Sequence, residues 1–238
     1  MCTPYNKKVK WTLNKTFTDK IKTHILNDKY EMAGKILFEN HHCNKNGICN
    51  KIISDHKINK GNKDSVLTPD GIINFHTHPK SCYDRENVIY GWPSGEDMYQ
   101  ILNFNKRGNI IHIIFTLEGA YVISVLDRLN NSESNDLEKI FKMTHSFRSH
   151  NKKEQSEIFK DFLKEIIRVA KNEDPLKIWL KMANNITSRK INTLLGKKGG
   201  RDDKIFNVKL LSFNSGMNFM ADFVDETCHK KFFRNNLY

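Results

Sequence analysis

The sequence predicts an α/β domain over residues 10–128 followed by a mainly helical extension over residues 129–238. Three observations carry this. Up to about residue 128, segments with helical spacing alternate with short apolar runs of strand length. The composition shifts near Asp127. Beyond it, apolar residues recur mostly at intervals of three and four, the spacing of amphipathic helices.

In order along the chain, residues 17–28 carry Ile21, Ile25 and Leu26 on one helical face. Residues 31–38 end in Lys-Ile-Leu-Phe and read as a strand. The stretch 41–50, rich in Asn, Lys and Gly, reads as a loop, and 51–58 is compatible with a second strand. Residues 61–70 are turn-like. The run 71–78 is short, apolar and bounded by Gly71 and Pro79, hence a buried strand. Residues 80–93 read as a long loop. A helix is expected from Ser94, with Met98, Ile101 and Leu102 at helical spacing. Residues 109–116 and 120–126 read as a hairpin joined by Leu-Glu-Gly. In the extension, 130–135 is a polar linker and 158–167 an amphipathic helix. Asp174-Pro175 are the N-cap and first-turn proline of a further helix carrying Trp179 and Leu180. A charged loop spans 197–204 and a strand 205–213.

The chain has 238 residues, 38% of them apolar, with 15 Phe and 3 Trp. That content excludes the disordered, collagen-like and low-complexity classes. No apolar run approaches the roughly 18 residues of a spanning helix; the longest, at 110–115, is interrupted by His112. The amino terminus lacks the apolar segment of a secretory signal, so a soluble protein is expected. The net charge of +12 divides as 18 basic and 13 acidic residues up to 128 and 21 and 14 beyond, so neither half is a basic arm. Lys outnumbers Arg by 31 to 8, whereas Arg dominates where bases and phosphates are read bidentately. Nucleic acid is therefore a disfavoured partner, and a membrane is not expected as one. Five scattered cysteines, an odd number, fit free thiols in a reducing, cytoplasmic compartment.

The chemistry is concentrated in His76, His78, Ser94 and Asp97. Strand residues two apart point to one face, so His-Thr-His presents two imidazoles side by side. Asp97, in the first turn of the helix expected after Pro93, can supply a third, oxygen ligand. Two His and one carboxylate with an open position form a catalytic zinc set, and zinc lowers the pKa of the water it holds towards 7. A general base is still required, and Glu31 on a neighbouring strand is placed to serve. Taken singly, each motif has a plainer reading. Ser-x-x-Asp is close to a helix capping box, a role compatible with metal ligation. A lone His-x-His is more often a satisfied or exposed pair.

Glu31 with Gly34 and Leu37, then His76-Thr-His78-Pro79, then Pro93-Ser94-Gly-Glu-Asp97, together resemble the motif of the JAMM (MPN-plus) zinc metallopeptidases, which include isopeptidases and deubiquitinases. The resemblance covers about residues 15–128 and implies a mixed β-sheet flanked by helices. It implies His76, His78 and Asp97 as zinc ligands, Glu31 as the base that activates water, and Ser94 as hydrogen-bond donor to the developing oxyanion. It further implies a ubiquitin-like modifier or other protein as substrate. Eighteen residues separate His78 from Asp97, more than is usual in that family, which reads as a loop insertion at the mouth of the site. Tyr83 and Gly-Trp-Pro-Ser at 91–94 are similar to segments of JAMM-like proteins of large DNA viruses. Many domains of this fold have lost their ligands, so a structural or assembly protein of the virion, bound to a scaffold partner, is the alternative reading.

Three further clusters have plainer explanations. His41-His42-Cys43 with Cys49 matches no common zinc finger and reads as a solvated turn. Cys82, four residues past His78, reads as a loop thiol. Gly196-Lys-Lys-Gly-Gly-Arg201 lacks the phosphate-loop pattern and reads as a linker.

Overall fold

A computed structural model describes residues 8–13, 15–38, 49–62, 65–144, 174–214 and 218–222. In chain order the elements are β1 (Lys8–Thr12), α1 (Lys15–Asn27), β2 (Met32–Phe38), β3 (Cys49–Lys60), β4 (Ile73–Thr77), α2 (Lys80–Glu86), α3 (Gly95–Lys106), β5 (Ile111–Thr116), β6 (Gly119–Val125), α4 (Asn131–Met143), α5 (Pro175–Asn185), α6 (Ser188–Leu194), β7 (Phe206–Leu211) and β8 (Asn218–Asp222). The fold is mixed α/β, with the strands in the order β7-β6-β5-β4-β2-β3-β1-β8. The β4–β5 and β1–β3 pairs are parallel, whereas β2 runs antiparallel to both β3 and β4. Among the described residues no helix is long and apolar enough to cross a membrane.

The chain divides into two compact units. The first contains β1 to β5, α1 and β8. Its core is built where the four-residue spacing of Phe17, Ile21 and Ile25 gives α1 one apolar face. That face belongs to one cluster with Met32 and Ile36 of β2, Ile73 and Phe75 of β4, and Ile111, Ile113 and Phe115 of β5. Phe17, Phe75 and Phe115 meet edge to face, with ring centroids 5.5 to 5.9 Å apart, the geometry that aromatic quadrupoles favour. Thr77 also faces this side. Its Oγ1 accepts from the Met32 N–H at 2.9 Å and lies 3.2 Å from Nε2 of His24. His24 Nδ1 in turn meets Asp28 at 2.5 Å.

The second unit contains α2, most of α3, and α4 to α6. Here the structure corrects two expectations. The stretch 80–93 is not a continuous loop, because its first half is helix α2. Asn87, with φ of 51°, ends α2, and the Val88 N–H reaches back to the Tyr83 carbonyl at 3.0 Å; this is a Schellman-type stop, in which Asn tolerates the left-handed position. The second half is anchored by Trp92, which is buried, stacked on Tyr90 and 6.0 Å from the ring of Trp179. Gly91 is required beside it, because a Cβ there would lie 2.0 Å from the Tyr83 hydroxyl oxygen.

The second correction concerns 130–135. This is not a linker but the start of α4, where Asn130 accepts from the Glu133 N–H at 2.9 Å and Glu133 accepts from the Asn130 N–H at 3.0 Å. Polar composition was the signature of a capping box rather than of irregular chain. Asp174 caps α5 ahead of Pro175, as expected, and Trp179 is buried. The extension is less exclusively helical than its periodicity suggests, since β7 and β8 lie at the two edges of the strand order. The helix expected at 158–167 and the His41–His42–Cys43 cluster fall outside the described residues, whereas Cys49 opens β3.

Candidate metal centre

Strand β4 alternates two kinds of residue, and both of its faces are buried. Ile73, Phe75 and Thr77 point to the apolar core. Asn74 and His76 point to the other side, and His78 continues their direction. The antiparallel register pairs Ala33 of β2 with His76 and Gly34 with Phe75. Glu31 lies immediately before β2, two residues ahead of Ala33. Glu31 is half-buried, and its carbonyl accepts from the Gly61 N–H at 2.9 Å.

Ser94 precedes α3 and exchanges two hydrogen bonds with Asp97. Asp97 N–H donates to Ser94 Oγ at 3.1 Å, and Ser94 N–H donates to Asp97 Oδ2 at 2.6 Å. This is capping-box geometry with aspartate in the place of the usual glutamate. Asp97 lies seven residues, two turns, before Phe104 on the same helix face. Phe104 packs on His112 of β5 with ring centroids 5.2 Å apart.

Among the described residues, His76, His78 and Asp97 each offer one ligand atom, and these atoms lie within 4.8 Å of one another. The imidazole Nε2 atoms of His76 and His78 are 3.0 Å apart. A tetrahedral zinc with bonds of about 2.0–2.1 Å separates its ligand atoms by about 3.4 Å, a value these spacings bracket. Two imidazole nitrogens and a carboxylate oxygen are also a donor set that zinc accepts. Cys82 is buried on α2 rather than on a loop, and it lies outside this group, with Arg85 Nη2 at 3.7 Å from its sulfur.

Sequence reasoning missed the layer behind the imidazoles. His76 Nδ1 lies 2.8 Å from His112 Nε2, and His112 Nδ1 lies 2.7 Å from Asn74 Oδ1. Asn109 Nδ2 donates to that same Oδ1 at 2.8 Å and to the Ile111 carbonyl at 2.8 Å. His112 and Asn74 are fully buried and are register partners across the parallel β4–β5 pair. The available signal was His112 itself, a polar residue inside the apolar run 110–115; buried at such a position, it requires a partner.

The site is therefore a His–His–carboxylate group, with buried imidazoles and a partly exposed Asp97, carried by a mixed α/β fold. Over 67 residues, 28% of this chain, it is 37% identical to a protein of Frog virus 3 (isolate Goorha) described as uncharacterized protein 3R. The match covers 15% of that relative's own length. No family model matches the chain, and no solved structure matches it.

Proposed function

We propose that this chain is a zinc-dependent metallopeptidase of JAMM type, hydrolysing an amide or isopeptide bond, with the carboxyl end of a ubiquitin-like modifier as the substrate class. The observation that carries the reading is the close approach of His76, His78 and Asp97, with Glu31 immediately before β2, the strand paired with β4. In this reading those three residues hold the metal. Zinc, when bound, supplies Lewis-acid polarisation and water activation near neutral pH. Glu31 accepts the proton of the attacking water and delivers it to the leaving amine. The Ser94 hydroxyl accepts from the Asp97 N–H and can still donate its own proton to the carbonyl oxygen on which negative charge develops. The similarity to a viral protein is consistent with a viral source.

Glu31→Gln should leave metal content unchanged and lower hydrolysis of a ubiquitin-like fusion by at least about 100-fold. His76→Ala should lose both. Hydrolysis that survives both substitutions would sink the proposal.

A second reading takes this as a structural or assembly protein of the virion with the same fold. The observation favouring it is that Ser94 and Asp97 already satisfy each other as a helix cap. Stable co-purification with a scaffold partner, unaffected by Glu31→Gln, together with absence of hydrolysis, would select it.

A further inference from the structure

We infer that His112, fixed by Asn74 and Asn109, is a positioning residue that determines which nitrogen of His76 is presented to the metal; this rests on the metal-site reading above. Hydrogen-bond polarity fixes the arrangement. Asn109 Nδ2 is surrounded by carbonyl oxygens, those of Gly71 at 3.1 Å, Ile72 at 3.3 Å and Ile111 at 2.8 Å. It is therefore the amide nitrogen and a donor. The Asn74 atom it meets must then be the oxygen, an orientation that also lets Asn74 Nδ2 donate to the Pro69 carbonyl at 3.3 Å. An amide oxygen only accepts, so the His112 nitrogen 2.7 Å away must carry the hydrogen. A neutral His112 then has a bare Nε2, which accepts from His76 Nδ1–H at 2.8 Å. With its proton on Nδ1, neutral His76 turns an unprotonated Nε2 towards His78 Nε2 at 3.0 Å. Each link fixes the next, and the series ends with a lone pair aimed at the ligand group.

Burial makes the relay obligatory. Asn74 and His112 have no exposed surface and Asn109 has 5%, and Phe104 packed on the His112 ring restrains its rotation. The relay ends on an amide rather than a carboxylate, so it orients His76 without adding charge behind it. Partners behind a metal-ligating histidine typically change metal affinity by about 10- to 100-fold when removed.

The test uses the full chain and zinc itself, in competition with a chromophoric chelator, and the visible spectrum of the cobalt-substituted protein. His112→Leu should weaken zinc binding by about 10- to 100-fold and alter the cobalt bands. His112→Gln, which keeps an acceptor towards His76 and an N–H towards Asn74, should recover most of the affinity. Unfolding of the metal-free variants checks that the fold is kept. Equal affinity and spectrum in wild type and His112→Leu would overturn the inference while leaving the metal site standing. Equal loss in His112→Leu and His112→Gln would assign the effect to packing and also overturn it. A wild-type chain that binds no zinc would remove both the metal site and the relay. Should His112→Leu fail to fold, nitrogen NMR of the wild-type zinc form decides the matter. A slowly exchanging proton on His76 Nδ1, in contact with the His112 ring, is the result expected; ligation through Nδ1, or a rapidly exchanging proton there, overturns the inference.

Discussion

Replacing Thr77 by Val removes one buried hydroxyl on the core face of β4 while leaving shape and volume nearly unchanged. That hydroxyl oxygen accepts from the Met32 N–H at 2.9 Å, and its own proton faces His24 Nε2 at 3.2 Å. Thr77 has no exposed surface, so water cannot replace it for Met32. An orphaned buried N–H costs about 1–3 kcal/mol. The His24 side chain is 13% exposed, so solvent can recover its lost bond and roughly 0.5 kcal/mol is forfeited there. Burying a methyl in place of a hydroxyl returns about 1 kcal/mol. The net loss is about 0.5–2.5 kcal/mol, which lowers the melting temperature by roughly 1–10 °C for a chain of this size. Urea unfolding followed by fluorescence measures it. The imidazoles of His76 and His78 lie on the opposite face of the strand, so zinc affinity should stay within about twofold of wild type. Met32 adjoins Glu31, so turnover should fall more than metal binding does. A stability change within about 0.5 kcal/mol of zero, or loss of zinc as complete as in His76→Ala, would refute this division of β4 into a supporting and a chemical face.

Other consequences can be checked alongside it. Gly91→Ala should destabilise the chain by about 1–3 kcal/mol, the usual cost of overpacking, since the new Cβ would meet the Tyr83 ring. In a Tyr83→Ala background the same change should cost far less, a coupling that a double-mutant cycle measures. Asp136 is buried, and the Lys197 ammonium hydrogen-bonded to it holds its carboxyl below the ordinary aspartate range, with Lys139 contributing and burial opposing. The folded-state value is the lower one, so this contribution to stability is complete above the unfolded pKa near 3.9. It is lost as pH falls through the folded value. Asp136→Asn should therefore flatten the acid limb of stability below the unfolded value, read as urea midpoints at a series of pH values; an unchanged limb would contradict the assignment.

Much of the first unit was legible because its elements obey simple periodicities. Ile21 and Ile25 announced α1, and the short run ending at Pro79 announced β4, since neither depends on what lies across the core. His76 on β4, His78 just beyond its end and Asp97 in the first turn of α3 were legible because each stands on or beside a regular element at a meaningful spacing. Helix α2 was hidden because seven mixed residues, Lys80–Glu86, carry too little periodicity to reveal the apolar anchoring supplied by Tyr83 and Trp92. The start of α4 was misread because Ser, Asn and Glu serve both linkers and capping boxes, and only the reciprocal bonds of Asn130 and Glu133 distinguish the two. The His112–Asn74–Asn109 relay is non-local, joining strands 36 to 38 residues apart, and a single sequence gives no register between them.

The most direct test of the central claim is the metal content of the purified wild-type chain, with His76→Ala measured beside it. About one zinc per chain is expected in the wild type and none in the variant. A wild-type chain free of zinc after preparation without chelators, or a His76→Ala chain that retains it, would contradict the account.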